Sequence, residues 1–138
     1  MLRAIGAVVA GLVVAVGIIM AVQVIGHKIW PAPEGLDWND AEVIRTYTSQ
    51  LPFLALLFPI ISYFLGTLAG TYVACRISSA KPLALVGVVG LVLLAFTIAN
   101  LISIPHPVWF SVTAVAAVII GGWLSLQLAG RRQAQASS

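Results

Sequence analysis

Long uninterrupted runs of apolar residues dominate this chain, and short polar segments separate them. A helix needs about 20 apolar residues to cross roughly 30 Å of hydrocarbon, because each residue adds about 1.5 Å. Strands of an outer-membrane barrel would be about ten residues long and would alternate in polarity. Four runs here are long enough for helices, and none contains Asp, Glu, Lys or Arg. The predicted spans cover about residues 4–25, 51–74, 83–104 and 108–129.

One connecting segment is long, the predicted outer loop 26–50, and a polar tail, 130–138, follows the last span. Within the loop, Asn39 and Glu42 are spaced like a helix capping pair, and the residues after them give a helix one apolar side. We therefore expect a short amphipathic helix in the loop. The remaining links are tight, which favours antiparallel packing of successive spans.

These elements predict an all-α integral membrane protein in which residues 1–138 form one domain, a four-transmembrane-helix antiparallel bundle. Two internal similarities are consistent with two tandem helical hairpins. Residues 62–76 align with residues 117–131 in their small and basic positions. On the other side of the membrane, His27-x-x-Trp30 matches His106-x-x-Trp109.

The composition excludes a soluble globular domain, because 61% of the residues are hydrophobic and only 8% are charged, against about a quarter in ordinary soluble domains. The net charge of +3 is too small and too scattered for nucleic-acid binding. The single cysteine, Cys75, cannot form an internal disulfide.

The positions of the charges predict the topology. One side carries five basic residues: Arg3, Arg76, Lys81, Arg131 and Arg132. The other side carries two basic residues and all four acids: Lys28, Arg45, Glu34, Asp37, Asp40 and Glu42. By the positive-inside rule both termini are cytoplasmic, and we expect a bacterial inner-membrane location. Aromatic residues cluster near the predicted outer interface: Trp30, Trp38, Tyr47 and Trp109.

Small residues recur every four positions on three spans, which permits close approach of helix backbones in lipid. On the first span they are Ala7, Gly11 and Ala15; on the second, Ser62, Gly66, Gly70 and Ala74; on the fourth, Thr113, Ala117, Gly121, Ser125 and Ala129. The second set contains a GxxxG motif. We expect each ridge to be a helix-contact face, either within the chain or toward a second copy or a partner helix.

Four polar residues lie at one depth near the outer ends of the spans: Gln23, His27, Asn100 and His106. Polar groups at such depths are costly, so their convergence would create an outward-facing ligand-binding pocket. His27 and His106, joined by an acid of the outer loop, are candidate metal ligands, and imidazole protonation would alternatively make the pocket a pH sensor. The plainer alternative is that Asn100 bonds a neighbouring helix and that both histidines are interface residues.

Catalytic motifs are missing from the sequence. It contains no GxSxG or HExxH pattern, and no carboxylate lies inside a span, as ion-coupled transport usually requires. We therefore expect no catalytic residue and no cofactor.

Several segments resemble small four-span membrane proteins of bacteria, a group without an established activity. The similar segments are Gly26-His27, the Pro-rich acidic loop ending at Leu51-Pro52, residues 66–70 leading to Arg76, and residues 100–110. The resemblance implies a topology and assigns no functional residue. Two functions remain open: a non-enzymatic accessory subunit or self-associating bundle acting through helix packing, and a small channel or carrier for a neutral, lipophilic or metal-ion solute.

Overall fold

The computed structural model describes residues 1–78 and 81–136, which contain five helices and no strand. The helices are α1 (Leu2–Ile29), α2 (Ala41–Gln50), α3 (Phe53–Ile77), α4 (Pro82–Ser103) and α5 (Val108–Ala136). All except α2 are long and apolar enough to cross a membrane. The chain is thus a multi-pass membrane protein, and the predicted four-helix bundle is confirmed.

Helices α1 and α5 extend well beyond the apolar runs that predicted them. Helix α1 continues to Ile29, where the backbone N–H of Trp30 bonds to the Gly26 carbonyl, so the first residues of the predicted loop are helical. Helix α5 continues into the polar tail as far as Ala136; residues 137–138 and the link residues 79–80 lie outside the described chain. A helix keeps its backbone hydrogen bonds whether lipid or water surrounds it, so its end need not coincide with the end of the apolar run.

The predicted loop helix is present as α2, but its cap is Asp40 and not Asn39. The Asp40 carboxylate accepts hydrogen bonds from the backbone N–H groups of Glu42 and Val43 at 2.9 and 3.3 Å. The Asn39 N–H donates instead to Asp37 Oδ1 at 2.9 Å, in a turn that precedes the helix. The prediction was wrong by one residue because Asp and Asn are equally good caps and the preceding turn decides between them.

Helix α2 is attached to the link between α4 and α5. The Thr48 hydroxyl donates to the Pro105 carbonyl at 2.8 Å, and Ile44 is only 3% exposed. We call the end of the bundle that carries α2 and residues 104–107 the α2 end.

The four long helices form a bundle with a rhombic cross-section. Helix α3 contacts α1, α4 and α5, and α4 also contacts the other three, whereas α1 and α5 do not approach each other within the described residues. Successive spans form the hairpins α1/α3 and α4/α5. Between the two hairpins, α3 contacts both α4 and α5, whereas α1 contacts only α4 in the described part of the chain.

Small residues bring α3 close to its neighbours. A Cβ placed on Gly11 of α1 would lie 2.6 Å from the Gly70 carbonyl oxygen, and one placed on Gly121 of α5 would lie 2.8 Å from the Phe64 carbonyl oxygen. The ridge residues of α1 and α3 are all buried, as are those of α5 from Ala117 onward. Thr113 is exposed, contrary to its predicted place in the ridge, while the neighbouring Ala114 is buried. The Thr113 hydroxyl donates to the Trp109 carbonyl at 2.6 Å within the same helix, so it needs no partner on another helix.

Candidate functional site

A cavity of about 130 Å³ lies at the α2 end, between α1, α3, the segment 30–51 and the link 104–107. We call it the α2-end cavity. It is lined by Gln23, Gly26, His27, Trp30, Trp38, Tyr47, Leu51, Ala55, Leu56, Phe58, Pro59, Ile104 and His106. Three of the four polar residues singled out in the sequence thus line one space, and the fourth, Asn100, lies outside it.

The His106 ring contacts one backbone carbonyl and one aromatic ring. Its Nδ1 lies 2.6 Å from the Ile104 carbonyl oxygen, and its ring stacks on Phe110 with centroids 4.4 Å apart. A carbonyl only accepts, so Nδ1 carries the proton and Nε2 is the ring's acceptor. Burial lowers the pKa of His106, an effect that outweighs the opposing influence of the Ile104 carbonyl, so the ring is neutral at neutral pH.

His27 occupies the last turn of α1, where it is exposed and borders the cavity. It lies four residues after Gln23, so the two side chains share one face of the helix. The side-chain amide of Gln23 is half-buried and donates to the Ser62 hydroxyl at 3.4 Å. Gln23 is therefore more buried than His27 and lies one helical turn further from the α2 end.

Aromatic rings form much of the cavity wall. Trp30 meets Phe58 edge-on with centroids 5.4 Å apart, and Trp38 meets Tyr47 in the same way at 6.2 Å. None of the described residues lining the space is Asp, Glu, Lys or Arg. The sequence assigned three of these rings to the membrane interface. Nothing in the sequence singled out Phe58, because a phenylalanine in an apolar span is equally suited to face lipid.

Asn100 forms a polar contact between helices. Its Nδ2 donates to the Tyr63 hydroxyl at 2.9 Å, which links α4 to α3. Tyr63 was not identified from the sequence, although a tyrosine in the interior of an apolar span was the available signal. This contact agrees with the alternative in which Asn100 bonds a neighbouring helix.

A second space, the α1–α4 groove, lies beneath the cavity. It has a volume of about 380 Å³ and is lined by Val16, Ile19, Met20, Gln23, Tyr63, Leu93, Phe96, Thr97 and Asn100. Met20 and Phe96 are 57% and 69% exposed, so the groove opens on the side of the bundle that faces lipid. Gln23 lines both spaces.

The site lacks the ligand set expected for a metal. Within residues 1–78 and 81–136, no three His, Cys, Asp or Glu side chains lie close enough together to hold an ion. The acid that the sequence-based hypothesis added to His27 and His106 does not join them, because none of the four acids of the loop lines the cavity. Two imidazoles alone fall short of the three protein ligands of a typical zinc site.

The chain is a multi-pass helical membrane protein with a small aromatic-lined cavity at one end of a four-helix bundle. No family model, curated protein or solved structure matches the chain. The function is therefore inferred from the geometry of the cavity.

Proposed function

We propose that this protein is a non-enzymatic binding protein or carrier for a small neutral solute, which it takes into the α2-end cavity from the outer side of a bacterial inner membrane. One observation carries the proposal: both histidines of the chain and Gln23 line one cavity together with four aromatic rings. Pockets that bind small molecules are typically apolar and contain a few polar groups that fix orientation.

The lining favours a solute with an apolar ring or chain and one hydroxyl or amide group. Cavities of about 150 Å³ lined by apolar side chains hold a ring the size of benzene, and this cavity has about 130 Å³. His106 Nε2 offers an acceptor and the Gln23 amide offers both a donor and an acceptor. With no carboxylate, ammonium or guanidinium group in the lining, an ionic solute would lose its hydration without a charged partner.

The charge distribution supports an outward orientation of the cavity. Exposed Arg3, Arg76 and Lys81 lie at the end opposite α2, as does Arg131 on α5. The positive-inside rule assigns that end to the cytoplasm.

The alternative function, assembly through helix packing, drew on the small-residue ridges. The ridge of α3 is buried against α1, and that of α5 against α3, at the glycine contacts described above. The ridges thus have an internal role in this chain, which weakens the support for an accessory subunit or a self-associating bundle.

The two histidines provide a direct test. In protein reconstituted in nanodiscs with ¹³C-labelled histidine, benzyl alcohol is expected to shift the ring signals of His27 and His106 together and in a saturable manner, while the benzoate anion leaves them unchanged because the lining offers no charged partner. Ala55→Leu, which fills the cavity, should abolish the shift. Ala69→Leu is the matched control, because Ala69 is a half-buried alanine of the same helix that does not line the cavity.

Three results would overturn the proposal. The first is no saturable shift in the wild-type protein, and the second is an equal shift in both variants. The third is a response to zinc chloride but to no neutral probe, which would indicate a metal site. Gel filtration of each variant establishes that it is folded and reports whether a second copy is bound.

A further inference from the structure

The α2-end cavity and the α1–α4 groove lie end to end along one face of α1. The cavity is lined by Gln23, Gly26 and His27 of this helix and by Trp30, the residue that caps it, and the groove is lined by Val16, Ile19, Met20 and Gln23. These positions recur at intervals of three and four residues, which places them on a single helix face. Gln23 stands at the junction of the two spaces.

The two spaces differ in chemistry. The cavity offers imidazole and amide groups at the membrane–water interface. The groove is apolar along Val16, Ile19 and Met20 of α1, and Leu93 and Phe96 of α4 line it as well. From Gln23 to Val16 the groove follows α1 over about 10 Å.

The polar side chains at the junction lie at the border between protein and lipid. Gln23 and Asn100 are both half-buried. Each donates to a side chain of α3: Gln23 to Ser62 at 3.4 Å, and Asn100 to the Tyr63 hydroxyl at 2.9 Å. Polar groups at this depth are costly without partners, and the polar portion of an amphiphile would offer these two amides an additional one.

We propose that the cavity and the groove form one elongated site for an uncharged single-chain amphiphile, with its polar head in the cavity and its apolar chain in the groove. This inference rests on the proposed function, and it specifies the class of the solute. The uncharged lining and small volume of the cavity select a compact neutral head. The exposed rim at Met20 and Phe96 lets the chain enter sideways from the bilayer.

Photolabelling tests the position of the chain. The probe is lauroylglycerol with a diazirine at the end of its acyl chain, added to the full-length protein in nanodiscs, and mass spectrometry locates the label. Label is expected on groove residues such as Met20 and Phe96. Met20→Trp, which fills the groove, should reduce labelling by about tenfold, a change of roughly 1.4 kcal/mol in binding. Val13→Trp is the matched control, because Val13 is 66% exposed on the same helix and lines neither space.

A second measurement separates this inference from the proposed function. Butyrylglycerol has the same head and a chain too short for the groove, and the histidine ring signals report its entry into the cavity. Shifts with butyrylglycerol, combined with lauroylglycerol labelling spread evenly over all four spans, would overturn the elongated site and keep the cavity function. No shift with either ester or with benzyl alcohol would overturn both. Groove labelling without any histidine shift would separate the groove from the cavity and also overturn the inference.

Discussion

Asn100 of α4 donates its side-chain amide to the hydroxyl of Tyr63 in α3 over 2.9 Å. This bond fixes the rotation of α4 against the central helix, because both side chains must face the α3–α4 contact for it to form. It also lies directly beneath the α2-end cavity, beside Gln23. The polar groups near this end therefore join neighbouring helices as well as line the two spaces.

Removing the Tyr63 hydroxyl should destabilise the bundle modestly. Tyr63→Phe is expected to lower the free energy of unfolding by about 0.6 kcal/mol and at most about 1.7 kcal/mol, the average and the largest value measured for hydrogen bonds between helices of a membrane protein. Unfolding in mixed micelles of mild detergent and SDS measures the loss. Tyr72→Phe is the control, because the Tyr72 hydroxyl has no hydrogen bond to the described residues of the chain. Equal losses in the two variants would contradict a specific role for the Tyr63–Asn100 bond.

The close approach of α1 to α3 makes Gly11 sensitive to a single methyl group. A Cβ at Gly11 would lie 2.6 Å from the Gly70 carbonyl oxygen and 3.0 Å from Ala74 Cβ. Gly11→Ala should therefore cost about 1–3 kcal/mol through overpacking. Gly17→Ala, on the same helix with nothing within 4 Å of the added Cβ, should be neutral or stabilise by up to about 1 kcal/mol through helix propensity. Thermal unfolding in detergent compares the two, and a Gly11→Ala variant as stable as Gly17→Ala would refute the close contact.

Two threonines on α3 should respond in opposite directions to replacement by valine. The Thr71 hydroxyl donates to Ser125 of α5 at 2.6 Å, whereas the fully buried Thr67 hydroxyl has no partner among the described residues. Thr71→Val should lower the free energy of unfolding by about 0.6–1.7 kcal/mol. Thr67→Val should raise it by about 1 kcal/mol, because a buried unsatisfied polar group is removed. SDS-induced unfolding measures both, and a destabilised Thr67→Val variant would show that its hydroxyl has a partner.

His106 should make the stability depend on pH. Burial lowers its pKa below the ordinary value of 6.5 in the folded state, so the unfolded state binds the proton more readily. The contribution of the neutral ring is present above pH 6.5 and declines as the pH falls below that value. Melting temperatures measured between about pH 7.5 and 5.5 should therefore decrease more steeply for the wild type than for His106→Gln. Parallel profiles would exclude His106 as the source of the dependence.

The spans and their small-residue ridges were predictable because lipid imposes a minimum length on helices and favours small residues where helices touch. The rotation of each helix about its own axis was harder to predict from the sequence, because a span that is apolar on every face has little hydrophobic periodicity. Asn100 was therefore assigned to the pocket by depth alone, while its position around α4 directs it to Tyr63. The aromatic wall depends on how residues 30–51 fold around the α2-end cavity, which no local pattern in the loop encodes.

The rhombic arrangement also implies an order of assembly. Helices α1 and α3 are successive spans, so their glycine contact can close once the second span has entered the bilayer. The hydrogen bond from Thr71 to Ser125 can form only after the last span, α5, has been inserted. A nascent chain halted before α5 would contain the paired α1 and α3 together with α4, and its Thr71 would still lack the hydrogen bond to Ser125 that joins α3 to α5.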